Sequence, residues 1–111
     1  MPQVRDFQRD PLVTEMVRRL TKAFQTERIY LFGSHARGEA GPDSDYDLLL
    51  IVKSSDLPRY RRDQAAFRVL AGVGAPKDIL VLTCDEFERQ RRVITSLPAT
   101  VEREGVLLYA A

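Results

Sequence analysis

The stretch LFGSHARGEAGPDSDYDLLLIV, Leu31 to Val52, decides how this chain is read. It leaves an apolar strand at Phe32, turns at Gly33-Ser34 and crosses a loop rich in Gly, Ser, Pro and Asp. It then enters a second strand, YDLLLIV, with Asp45 and Asp47 one residue apart at its mouth. A run that is apolar on both faces belongs in the middle of a sheet covered on both sides. Paired negative charge has no structural use at the head of such a strand. Alternate side chains share a face, so the two carboxylates project together from Cα atoms roughly 6–7 Å apart. At that spacing they repel and raise each other's pKa, and a divalent cation relieves the repulsion. Hard oxygen donors suit Mg²⁺, with Mn²⁺ also acceptable, and such ions complete their shells with water and substrate phosphates.

Outward from this stretch, strands and helices alternate. Asp10 is placed to cap a helix over Pro11 to Gln25, with Pro11 at its first position and Leu12, Val13, Met16, Val17 and Leu20 on one face. RIYLF, Arg28 to Phe32, is the first strand, and a short helical turn fits Ser34 to Arg37. Beyond Val52, Leu57 to Ala71 predicts a helix with Tyr60, Phe67 and Leu70 on one side, followed by the hinge-like GVGAP. KDILVLT, Lys77 to Thr83, is a third strand, again opened by an acid, Asp78. Thr83 or Asp85 caps a charged helix through about Ile94. Pro98 interrupts, a short helix covers Ala99 to Glu104, and GVLLY closes as a fourth strand from Gly105 to Tyr109. The expectation is one α/β (α+β) domain over residues 1–111, a mixed sheet of about four strands with helices packed on it.

Composition narrows the function classes. Seventeen basic residues against sixteen acidic ones leave a net charge of +1, so no global field draws the protein onto nucleic acid. The basic residues are mostly arginine and asparagine is absent, a bias shared by heat-loving sources and G+C-rich genomes. No apolar run is long enough to span a bilayer, and the opening MPQVRDFQRD is too charged for a signal peptide. Cys84 stands alone and cannot form an internal disulfide. A cytoplasmic protein is expected, with Cys84 a small half-buried residue.

Two further elements complete a candidate site. Asp78 becomes a third carboxylate if its strand neighbours the one headed by Asp45 and Asp47, and three such acids can hold two metals about 3.5–4 Å apart for in-line attack at phosphorus. The turn at Gly33-Ser34 offers backbone N–H groups and a hydroxyl to an anion, with Arg37 one helical turn on to add a phosphate contact. Each element has a plain structural reading: a common turn, a solvated acidic loop, a strand cap. Their concentration at one point favours a phosphate site. His35 beside the cradle reads as a surface-loop histidine. Asp78 is the better acceptor for a proton. The clusters Arg59-Arg61-Arg62 and Arg89-Arg91-Arg92 could face RNA or an acidic partner, since arginine is enriched at interfaces, but read first as solvated helix faces, and Phe7, Phe24, Phe32, Phe67 and Phe87 as core.

Gly33-Ser34, ten intervening residues, then Asp45-Tyr46-Asp47 resembles the signature of the DNA polymerase beta-like nucleotidyltransferase superfamily. With KDILVLT, REGVLLY and its small size, the chain is similar to the minimal nucleotidyltransferase branch. The resemblance implies that Gly33 and Ser34 bind a nucleoside triphosphate, that Asp45 and Asp47 hold Mg²⁺, and that Asp78 completes the site. It also implies an antitoxin role, in which AMP passes from ATP to a tyrosine of a partner HEPN-domain toxin. Two alternatives stand beside it: a stoichiometric binding antitoxin with a vestigial site, and transfer to a small-molecule hydroxyl. Generic phosphate binding ranks last, and a homo-oligomer stays open.

Overall fold

In a computed structural model, which describes residues 7–111, four strands form one sheet in the order β3-β2-β1-β4. Residues 1–6, the larger part of the opening stretch MPQVRDFQRD, lie outside the described part. The strands are β1 (Thr26–Phe32), β2 (Tyr46–Val52), β3 (Lys77–Thr83) and β4 (Val106–Ala110). β1 lies antiparallel to both β2 and β4, while β2 and β3 run parallel. The sheet is therefore mixed, with β2 inside it, as its two-sided apolar sequence requires. Among the described residues, no helix is long and apolar enough to cross a membrane.

Strand alternation sorts the side chains into two cores. Tyr46, Leu48, Leu50, Ile79 and Val81 face α1 (Pro11–Ala23) and α3 (Arg59–Val69), and pack with Met16, Leu20, Ala66 and Leu70. Leu49, Ile51, Tyr30 and Leu82 face the other way, against Phe87 of α4 (Cys84–Gln90) and Val101 of α5 (Leu97–Glu104). By the same alternation Asp45, Asp47 and Asp78 belong to this second face, at the end where β2 and β3 begin.

The element order agrees with the sequence reading, and the differences lie at the ends. α1 starts at Pro11 under Asp10, whose carboxylate accepts from Leu12 and Val13 N–H, but it stops at Ala23. α3 begins at Arg59 because Pro58, in an extended conformation, takes the cap position. α4 stops at Gln90, short of Ile94. The Gln90 carbonyl is claimed by the Ser96 hydroxyl at 2.5 Å and by Val93 N–H at 3.0 Å in a tight turn. Pro98 does not interrupt α5 but sits in its first turn, where no helical N–H is required, and Ser96 caps it.

Two residues read as peripheral or core take the opposite place. Phe67 stands half exposed on the outside of α3, because Ala66 and Leu70 occupy the inward positions. Arg62 is not a solvated helix residue; only 8% of it is exposed. Its guanidinium rounds the edge of the sheet, donates to the Leu57 and Val81 carbonyls, and forms a two-point pair with Glu86 at 2.7 and 3.0 Å. Asp63 accepts from Val81 N–H at 2.8 Å, so α3 satisfies the outer groups of the edge strand β3. Glu86 also completes a capping box with Thr83.

This staple sets an acid limit on stability. The Arg62 hydrogen bonds, opposed by burial and aided by Thr83, hold the Glu86 carboxyl at about 2, below its ordinary 4.5. A lowered folded-state pKa contributes stability above pH 4.5 that is lost as pH falls toward 2. Its size is at most about 3 kcal/mol, less for the solvent that reaches Glu86. Arg62→Met should remove about 2–3 kcal/mol at neutral pH by leaving Glu86 unpaired, and should flatten the pH dependence between 4.5 and 2. Denaturant titrations across that range check both effects; an unchanged acid slope contradicts the pairing.

Candidate active site

β1 ends at Phe32, and the chain turns at once into the five-residue α2 (Gly33–Arg37). Gly33 has φ +75°, a left-handed conformation that disfavours any residue with a Cβ. Space makes the same demand, because a Cβ at Gly33 would collide with the Oδ2 of Asp47. Phe32 and Asp47 are partners in the β1–β2 ladder, so the turn is laid directly against the acid strand. No side chain caps the first turn of α2, and the Ser34 hydroxyl has no hydrogen-bond partner among the described residues. Backbone donors and a hydroxyl are thus presented where Asp47 emerges.

The ladder between β2 and β3 pairs Asp47 with Asp78. The condition attached to Asp78, that its strand neighbour β2, is met by the topology. Asp45 is exposed just before β2, Asp47 is half-buried and Asp78 is exposed. None of the three forms an ion pair among the described residues. Burial pushes the Asp47 carboxyl above its ordinary 3.8, and the charges of Asp78 and Asp45 push it the same way. His35 and Arg37 oppose this more weakly.

Side chains set the aim of the loop between the cradle and the acids. The Tyr46 ring faces away from the acids into the core, and its hydroxyl donates to Oδ2 of Asp10 at 3.1 Å. The same aspartate caps α1, so one carboxylate ties the first helix to the mouth of β2. His35 is not a loose loop residue. Its ring stacks on Tyr46, with centroids 3.9 Å apart and planes within 10°, and its Nε2 lies 3.1 Å from the Ser44 carbonyl. The carbonyl can only accept, so Nε2 carries the proton. Arg37 lies at the end of α2, paired with Glu39 at 2.8 Å. The brace of Asp10, Tyr46 and His35 escaped the sequence reading; the signal for it was a tyrosine, needing a hydroxyl partner, where an aliphatic residue would fill the core. His35→Ala should lower turnover about 10–100-fold, the usual effect of losing a residue that orients a metal-binding or reacting group, with little loss of stability. Steady-state kinetics with a thermal melt check this, and unchanged kinetics contradict it.

The donor set suits a hard divalent cation. Three carboxylates share one face and one end of the sheet, and burial, with the charges of its two neighbours, raises the central one. They are an open set. Among the described residues no three acidic, histidine or cysteine side chains close around one point, and Oδ1 of Asp78 accepts from its own Ile79 N–H at 3.0 Å. Cys84 takes no part: burial, with Glu27 nearby, pushes its thiol up.

Comparison with known proteins bears on the family and the fold. Residues 13–107 match the family model described as a nucleotidyltransferase domain. A Methanocaldococcus jannaschii protein, named as a protein adenylyltransferase by assignment, is 28% identical over 100 residues, covering 85% of this chain and 96% of its own length. A crystal structure of a Sulfolobus solfataricus protein, named as a nucleotidyltransferase in the same provisional way, superposes with a TM-score of 0.64 at 24% identity, over 99% of this chain and 92% of that one. The toxin–antitoxin MntA-HpeT, in a mutant form, gives a TM-score of 0.60 at 18% identity over 98% of this chain and 75% of that one. A toxin–antitoxin solved with AMP-PNP gives 0.59 at 16% over 89% and 73%.

Proposed function

This chain belongs to the nucleotidyltransferase domain family, and from that premise we propose that it moves AMP from ATP to a hydroxyl of a partner protein, a tyrosine of a HEPN-domain toxin in the cytoplasm. One observation carries the reading: Asp47 and Asp78 stand in register on neighbouring parallel strands, with Asp45 beside them and the Gly33-Ser34 turn packed against Asp47. The adenylyltransferase name of the M. jannaschii relative supports a protein acceptor, and AMP-PNP in a structure of the same fold supports ATP as donor.

In this reading Gly33 N–H and the Ser34 hydroxyl hold the β and γ phosphates, with Arg37 released from Glu39 to assist. Asp45, Asp47 and Asp78 would hold Mg²⁺, one ion or two. When bound it supplies charge neutralisation at the phosphates and the leaving group. The acceptor oxygen forms a bond to the α-phosphorus, the bond from that phosphorus to the bridging oxygen breaks, and pyrophosphate departs. The free oxygen of Asp78, exposed to solvent, receives the hydroxyl proton. Asp45 and Asp78 are both exposed, so an acceptor carried on a macromolecule can reach the site directly. A cavity of about 230 Å³ lies at the far end of β2, among Phe24, Val52, Leu57 and Val81, away from the acids.

Intact-mass spectrometry of the protein encoded in the adjacent reading frame, after incubation with this chain, ATP and Mg²⁺, tests the proposal. A mass gain of one or more AMP groups is expected. A gain of phosphate alone, or modification only of added small-molecule hydroxyls, overturns it.

A further inference from the structure

We infer that the outward face of α3, built on Tyr60 and Phe67 and flanked by Arg61 and Arg68, is the docking surface for an acidic amphipathic helix of the partner protein. The inference deepens the protein-acceptor reading and rests on it. Tyr60 is 61% exposed and Phe67 50%, unusual for aromatics in a helix whose neighbours Ala66 and Leu70 are fully buried. They are seven positions apart, so they stand about 10 Å apart on one stripe. Apolar residues at this repeat are what one helix offers to another.

Charge selects the occupant. Arg18, Arg19, Arg28, Arg37, Arg62 and Arg91 each have a carboxylate within 4 Å. Arg59, Arg61 and Arg68 have none among the described residues and are exposed. Arg89, Arg92 and Arg103 are exposed without one as well, but among the described residues the exposed aromatic side chains, Tyr60 and Phe67, both lie on α3. A second copy of this chain would bring these arginines against their own kind, which disfavours self-association through the stripe. A nucleic acid would need open ring faces for stacking. Here each ring already has a cation over it: Arg61 at 5.9 Å from the Tyr60 centroid and Lys77 at 5.6 Å from Phe67. Acidic side chains flanking an apolar ridge answer both features.

Position ties the face to the chemistry. Phe67 is held by Lys77, and Lys77 is followed by Asp78, whose partner across the ladder is Asp47. α3 covers one face of the sheet and the acids stand on the other, but Phe67, Lys77 and Asp78 share the end where β2 and β3 begin. A partner docked along α3 must therefore bring its accepting hydroxyl round that end of the sheet.

The test uses two variants, Arg61→Glu/Arg68→Glu and Tyr60→Ser/Phe67→Ser, neither touching the site residues. Binding to the protein of the adjacent reading frame is measured by calorimetry at two salt concentrations, with a single-stranded RNA of about 20 nucleotides as the second probe. Each variant should weaken the protein complex by about tenfold or more, and the arginine variant should lose most of the salt dependence. Melting midpoints and ATP affinity should stay at wild-type values. Unchanged affinity in both variants, no complex with wild type, or RNA binding that the variants abolish overturns the assignment. Label transfer by a complex indifferent to both variants leaves the adenylylation reading standing and this face wrong. A complex that depends on the face yet transfers nothing leaves the face standing and adenylylation wrong.

Discussion

Asp47→Asn is expected to stabilise the folded chain and, at the same time, to lower nucleotidyl transfer by about 10²–10³-fold or more. The two effects share one cause. Burial and the charges of Asp78 and Asp45 raise the Asp47 carboxyl above its ordinary range. A raised carboxylate is a group the folded state would rather keep protonated, so its ionised form at neutral pH opposes folding. Stability attributable to this residue therefore rises as pH falls through the folded-state value, the reverse of the behaviour of Glu86. Asparagine keeps the size and removes the charge, so the melting midpoint without divalent cation should increase at pH 7. Charge stabilisation at the phosphates, worth several kcal/mol, goes with the carboxylate, and each 1.36 kcal/mol is tenfold in rate. Calorimetric melts with and without Mg²⁺, alongside transfer assays, check both arms. A lower midpoint for the variant, or turnover near that of wild type, contradicts the assignment of Asp47.

Gly33→Ala should be nearly as damaging, by a different route. The positive φ alone costs a residue with a Cβ about 1–2 kcal/mol. The added methyl would also overlap Oδ2 of Asp47 and press within 3.2 Å of its Cγ. Either the turn or the carboxylate must move, and displacement of about 1 Å at a reacting centre costs on the order of 10²-fold in rate. A double-mutant cycle separates the two contributions. On an Asp47→Gly background the collision is absent, so the stability penalty of Gly33→Ala should shrink to its conformational part. An equal penalty in both backgrounds would falsify the packing of Gly33 against Asp47.

What could be read from the chain divides along the range of the interactions. The helices and strands follow from local periodicity, and their order survives intact from Pro11 to Ala110. The Gly33-Ser34 turn and the Asp45–Asp47 pair were legible because their chemistry is written within one short stretch. Asp78 was legible only conditionally, since nothing local says that β3 lies parallel beside β2. Contacts across long separations were not legible. RYRR reads as a wet helix face until Glu86, 24 residues on, is seen to claim Arg62. Phe67 reads as core because hydrophobicity gives no sign of which residues already fill the inward places. His35 reads as a loop residue until Tyr46 is found beneath its ring. The same limit hid that Tyr60 and Phe67 stay exposed on α3 beside its arginines.

Transfer of label from ATP marked at the α-phosphate to the protein of the adjacent reading frame, run in parallel with wild type and Asp47→Asn, reaches the central claim most directly. Label on the neighbour with wild type and none with the variant is the predicted result. A stable complex between the two proteins that neutralises the neighbour without label, and equally well with the variant, contradicts it and makes the three aspartates a relic.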